Sequence, residues 1–184
     1  MLLQLIANHP EALPQILNGT PTYVWGILAA LTVLGLTQAR DRTASLTRIA
    51  VMPVVMTIMG LWGMFGAFSS SPMFGYAVLA WIASASVMIA LVGTMAPPQG
   101  ASYDAASRTF AVSGSLVPMA LILAIFLTKY VVGVETSMNP GLARDGQYSM
   151  IVGALYGMFS GIFAGRALRL LRLASRPAMH IAAA

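Results

Sequence analysis

The sequence predicts an all-α polytopic membrane bundle: five transmembrane helices behind an N-terminal interfacial segment, N-terminus outside and C-terminus in the cytoplasm. Three observations predict it. Of 184 residues, 58% are hydrophobic and 8% charged, whereas soluble domains carry about a quarter charged residues. Five apolar stretches each approach the roughly 20 residues that cross a hydrocarbon core. Of the ten basic residues, Arg40, Arg42, Arg48, Arg108, Arg166, Arg169, Arg172 and Arg176 fall on one side of those stretches, which the positive-inside rule makes the cytoplasm.

Residues 1–21 form the interfacial segment. It has neither the basic n-region nor the small-residue cleavage site of a signal peptide, and Pro10 and Pro14 interrupt it before a span can form. Leu2, Leu3 and Ile6, then Leu13, Ile16 and Leu17, recur at helical spacing around His9 and Glu11. That is the pattern of two short amphipathic pieces on a bilayer surface; a frayed tail is the alternative reading.

Residues 22–176 form the bundle, with spans at 22–39, 49–68, 74–95, 111–134 and 148–171, and residues 177–184 form a cytoplasmic tail. The outer face receives the uncharged Ser69-Ser70-Ser71-Pro72 turn and the loop holding Glu135, Arg144 and Asp145. Aromatic residues mark the interfaces: Tyr23 and Trp25 open span one, Tyr76 and Trp81 open span three, and Tyr130 and Tyr148 flank the last outer loop. Trp62 lies deeper, where its indole N–H wants a partner in the bundle. Pro53 and Pro118 fall inside spans two and four and predict kinks. Ser45-Leu46-Thr47-Arg48-Ile49 before Pro53 resembles Ser107-Arg108-Thr109-Phe110 before Pro118, a pattern that either chance or duplication of a helical hairpin produces.

Span five carries Ser149, Gly153, Gly157, Gly161 and Gly165 at unbroken four-residue spacing. These draw one side-chain-poor row down a helix, along which another helix approaches closely in lipid, where no hydrophobic gain drives association. Arg169, Arg172 and Arg176 continue almost on the row, with Arg166 to one side. They read as anchors to anionic lipid headgroups at the cytoplasmic face. If the row met its own symmetry mate in parallel, these arginines would crowd together; another span of the chain or an acidic partner avoids that, and Asp41 and Asp104 are the internal candidates.

Lys129 is the one ionisable residue well inside a span, about five residues or roughly 7 Å from the outer end of span four. An intramembrane charge marks a functional-site candidate because desolvation is tolerated only with a partner or a water path. At this depth the lysine stem also reaches the headgroups by snorkelling, and that bland reading competes. Tyr130, Glu135 and Asp145 complete the candidate polar site, with the two carboxylates as partners for Lys129. The hydroxyls of Thr57, Ser84, Ser86, Ser113, Ser115, Thr128, Tyr156 and Ser160 either line a narrow path or bond helix to helix.

Other chemistry is disfavoured. The chain has no cysteine, which excludes disulfides and thiolate sites. Net charge is +5, but no basic patch interleaves with aromatics, so no nucleic-acid partner is expected. Gly157-Met158-Phe159-Ser160-Gly161 superficially resembles the serine motif of intramembrane proteases, yet Met158 stands where that motif wants glycine. The two histidines, His9 and His180, lie outside the spans, so no base is available to Ser160 and no bis-histidine haem is expected. Thirteen scattered methionines behave as apolar side chains, and no metal site, catalytic residue or cofactor is expected. Proton coupling is disfavoured because no span holds Asp, Glu or His.

Thr20-Pro21-Thr22-Tyr23-Val24-Trp25, Gln38-Ala39-Arg40-Asp41-Arg42, Thr128-Lys129-Tyr130-Val131-Val132-Gly133-Val134 and Leu155-Tyr156-Gly157-Met158-Phe159-Ser160-Gly161 resemble an uncharacterised family of bacterial polytopic inner-membrane proteins, a domain of unknown function. The resemblance covers most of the chain after residue 20; the N-terminal segment is longer here than the family pattern. It implies a bacterial inner-membrane location and five spans, and brings no activity, substrate or cofactor.

Together these features predict a non-enzymatic membrane module: an accessory subunit of a membrane complex or a homo-oligomeric bundle, with the lipid bilayer and other membrane subunits, or further copies of itself, as partners. A small-solute channel or transporter with a path beside Lys129 is the alternative.

Overall fold

A computed structural model describes residues 12–37, 39–98 and 100–175. The first part of the interfacial segment, Arg176 and the 177–184 tail lie outside them. In chain order the described residues form α1 (Ala12–Asn18), α2 (Thr22–Thr37), β1 (Arg42–Ser45), α3 (Leu46–Phe68), α4 (Phe74–Thr94), β2 (Ser102–Asp104), β3 (Thr109–Val112), α5 (Val117–Met138), a 3-10 turn (Pro140–Arg144) and α6 (Gly146–Ala174).

Helices α3, α4, α5 and α6 are long and apolar enough to cross a membrane. Helix α2 has 16 residues, about 24 Å at helical rise, and falls below spanning length, so four helices meet that criterion where five were expected. Helix α3 begins three residues before the expected 49 because Ser45 caps it, its hydroxyl accepting the Arg48 N–H at 3.3 Å. Helix α6 begins at Gly146, capped by the Asp145 carboxylate, which accepts the Tyr148 N–H at 2.8 Å.

Span four is corrected at both ends. Residues 109–112, partly assigned to it, are strand β3, and the helix begins only at Val117. Pro118 therefore stands in the first turn of α5, where its missing N–H is not needed, and introduces no kink; Pro53 does lie inside α3. At the other end α5 continues to Met138, four residues past the expected 134. The hydroxyls of Thr136 and Ser137 bond back to Val132 O and Gly133 O, each at 2.7 Å, so polar residues stay helical there.

The structure is mostly helical, as expected, with one addition: two loops pair into a three-stranded antiparallel sheet of order β1-β3-β2. Ser45 lies opposite Thr109, and Ser102 opposite Ala111. The suggested repeat therefore has no structural counterpart: Ser45 ends a strand and caps a helix, whereas Ser107 sits in the turn before β3, two residues from the Thr109 that faces Ser45. In that turn Arg108 takes a left-handed φ of 52°, and Asp104 accepts the Ala106 N–H at 3.0 Å and the Ser107 hydroxyl at 2.6 Å.

The Ser107 hydroxyl, followed by the Ala106 amide, holds the Asp104 carboxyl below its ordinary range. A depressed carboxyl stabilises the fold fully above its unfolded value of about 3.9 and loses that effect as pH falls through the lower folded value. Hydrogen exchange at Ala106, corrected for intrinsic rate, is expected to accelerate below about pH 4; equal acceleration in Asp104→Asn would refute the assignment.

Packing divides the helices. The most extensive pair is α4 with α6; α3 also packs on α6, and α2 packs on α5. A core of Met64, Phe68, Ala77, Val132, Val152 and Tyr156 ties α3, α4, α5 and α6 together. Helix α2 runs along α5: Thr20 Oγ1 meets the Tyr130 hydroxyl at 2.6 Å, and at the other end Gly35 abuts Met119. The loops bearing β1 and β3 meet at the end of the bundle where Arg169 reaches Ala96 O.

Candidate functional site

The five small residues of α6 are all buried, and four of them face α4. A Cβ built on Gly153 would stand 3.2 Å from Ala77 Cα, on Gly157 2.8 Å from Trp81 Cα, on Gly161 2.9 Å from Ala85 Cα, and on Gly165 3.2 Å from the Gly93 nitrogen. These are backbone approaches within one chain. Ser84 of α4 donates to Ala154 O of α6 at 2.8 Å, adding a polar tie where the helices are closest. Ser149 is fully buried at the start of α6 and donates to Gly146 O at 3.1 Å. Trp81 joins this packing, and its Nε1 is buried with no hydrogen-bond partner among the described residues.

Two of the arginines have protein partners. Arg169 Nε donates to Ala96 O at 3.0 Å, its Nη2 reaches the same oxygen, and Arg172 Nη1 donates to Gly93 O. Gly93 lies in the last turn of α4, where helix carbonyls lack intrahelical partners and the dipole favours cations, and Ala96 lies two residues past its end. Arg166 is half-buried. The two acidic residues considered as their partners are engaged elsewhere, Asp104 in its turn and Asp41 on the Gly114 N–H at 2.6 Å.

Between the α2–α5 pair and the α3–α6 pair lies a cavity of about 760 Å³, within the roughly 300–1,000 Å³ typical of ligand sites. Its wall is mostly apolar, and among the described residues Lys129 is the one charged side chain lining it. Because α5 extends to Met138, Lys129 lies nine residues from the helix end, about 13 Å, deeper than the 7 Å expected. Its side chain crosses to α3. A Cβ on Gly63 would stand 2.7 Å from Lys129 Nζ, and that nitrogen lies 5.9 Å from the centre of the Tyr156 ring, within cation–π range. The ammonium is thus turned into the bundle rather than toward the helix end.

The remaining candidates differ in whether they line the cavity. Tyr130 lines the cavity with Lys129, while Glu135 and Asp145 do not. Glu135 Oε2 accepts the Tyr148 hydroxyl at 2.9 Å, and Asp145 caps α6. Ser160 and Tyr156 also line the cavity; the Ser160 hydroxyl donates to Tyr156 O at 2.9 Å. Thr128, a candidate for a polar path, instead bonds back to Ala124 O at 2.8 Å. Trp62, expected to find a partner in the bundle, is 81% exposed. Residue-type reasoning missed Gly60 and Gly63, whose lack of side chains makes the room beside Ser160 and Lys129. Their signal was the three-residue spacing of Gly60, Gly63 and Gly66 in span two.

No curated protein and no solved structure matches this chain. A family profile does, across residues 1–180, so the chain belongs to the family of unknown function DUF6622.

Proposed function

We propose that this chain is a non-enzymatic, multi-pass protein of a bacterial inner membrane that binds a small anionic solute and moves it through the cavity beside Lys129. The observation that carries the reading is the position of the ammonium: a cation turned inward at the middle of an apolar helix, on the wall of a cavity of about 760 Å³. A charge held there is expensive, and electrostatic interactions with it are strong because water is scarce. Five crossings fit the packing. Helix α2 lies alongside α5 from Tyr130 to Met119, so its 24 Å with the flanking turns covers most of the same depth. The end that gathers β1, β3 and the α6 arginines is then cytoplasmic by the positive-inside rule, with anionic lipid at its rim.

In proteoliposomes loaded with labelled small anions, Lys129→Ala and Lys129→Glu are expected to lower flux by at least about tenfold, the scale of one lost charged hydrogen bond. Both variants should retain the wild-type melting profile. Unchanged flux in both, with folding intact, removes the reading.

A second reading, an accessory subunit or homo-oligomer, is favoured by Trp62, whose indole is 81% exposed about 9 Å from the end of α3. Its N–H has no acceptor in lipid tails and is satisfied by a neighbouring membrane subunit. The small-residue row of α6 adds nothing to this reading, since α4 of the same chain already lies against it.

A further inference from the structure

We infer that the cavity takes a single-chain lipid bearing a carboxylate, a medium-chain fatty acid, with the carboxylate on Lys129 and the hydrocarbon chain directed toward Ile122. This rests on the reading of the cavity as a solute site and names its occupant.

The wall is apolar along most of its length, with Ile16, Val134 and Met138 toward one end and Leu31, Ile125 and Phe163 toward the other; hydroxyls occur at both, Thr20 and Ser137 toward the first and Ser160 toward the second. Lys129 sets its charge into that wall, about 13 Å from Met138 and about 10 Å from Ile122 at helical rise. A single-chain amphiphile matches one charge in an apolar surround, its head on the ammonium and its chain along the wall toward Ile122. The chain is short because that stretch is short.

The head group follows from charge and depth. An ammonium with three donors makes strong, charge-assisted bonds to a carboxylate. A phosphodiester lipid keeps its phosphate at the headgroup level, about 13 Å from Lys129, and a second chain has no matching channel. A small inorganic anion finds Lys129 as the one cation among the described lining residues, and an apolar wall in place of its hydration shell, which is costly. For a fatty acid the chain exchanges one apolar environment for another and gains little. Discrimination therefore resides in the ammonium, and a neutral alcohol of equal length is the informative control.

The test is equilibrium binding of radiolabelled decanoate to the full-length protein in zwitterionic nanodiscs, beside decan-1-ol and decanoyl lysophosphatidic acid. Saturable decanoate binding is expected, weakened at least about tenfold in Lys129→Met and largely kept in Lys129→Arg. Gly133→Leu is expected to abolish it, since Gly133 lines the cavity and a Cβ there meets nothing within 4 Å, so the added side chain enters open space without a clash. Melting curves confirm that each variant folds. Equal binding of decanoate and decan-1-ol, insensitive to Lys129→Met but lost in Gly133→Leu, overturns the fatty-acid assignment while the cavity remains a solute site. Preferential binding of the lysophosphatidic acid overturns it in favour of a phosphate head. Lys129-dependent flux of small anions without decanoate binding overturns it and leaves the broader reading standing; no saturable binding and no flux removes both.

Discussion

Replacing Gly157 with leucine is expected to abolish the folded bundle, while replacing Gly66 with alanine is expected to strengthen it slightly. At Gly157 even a first side-chain carbon would stand 2.8 Å from Trp81 Cα and closer still to Trp81 O and Ser84 Oγ. Backbone cannot rotate away as a side chain does, so α4 must separate from α6. Overpacking of side chains costs about 1–3 kcal/mol; displacing a helix along its main interface is expected to exceed that range. At Gly66 a Cβ meets nothing within 4 Å, and glycine in a helix is about 0.5–1 kcal/mol worse than alanine. Thermal unfolding followed by fluorescence-detected size exclusion reads both. A Gly157→Leu protein that melts like wild type would mean that α4 and α6 do not meet at Trp81.

The second large effect is expected at Gly114. This glycine lies in the short link between β3 and α5, and a Cβ on it would stand 2.6 Å from the Ala39 carbonyl carbon and 2.8 Å from that of Arg40. Its N–H donates to Asp41 at 2.6 Å. Gly114→Ala thus pushes apart two backbone links that the small sheet holds together, and should cost more than about 2 kcal/mol. Asp41→Ala removes only the charged acceptor and should cost about 1.5–3 kcal/mol, the range for hydrogen bonds to charged groups. Both should raise exchange at the amides pairing β1 with β3, and Gly114→Ala should also loosen the start of α5. Unchanged protection in Gly114→Ala would place the two links farther apart than described.

The glycine row and Gly114 differ in how far they were legible. The four-residue spacing of Ser149 to Gly165 is a covalent property of the sequence, and helical periodicity alone puts those positions on one face. That Gly114 sits against Ala39 has no such signature, because it depends on a contact between links more than 70 residues apart. The same reason hid the sheet. Strands of three and four residues are too short for a period-two pattern to register, and although β2 and β3 form a local hairpin, β1 is held by β3 across a long separation. Hydropathy places residues 111 and 112 in span four because it does not distinguish a short apolar strand from a helix end.

Lys129 shows the boundary most clearly. Sequence identified it as the intramembrane charge, because a lysine flanked by apolar residues is costly wherever its side chain points. Its direction was open between headgroups and bundle, and a neighbour decided it: Gly63 leaves room for the ammonium, and Tyr156 presents a ring beside it. The arginines followed the same rule, since the carbonyls of Gly93 and Ala96 lie within reach only when α4 and α6 pack side by side. By itself the sequence determined where apolar helices run, which side carries positive charge and which positions share a face, because these follow from composition and a 3.6-residue period. Only the tertiary structure decided which faces meet, where the loops pair and into what space Lys129 points, because those depend on contacts between residues that no local pattern connects.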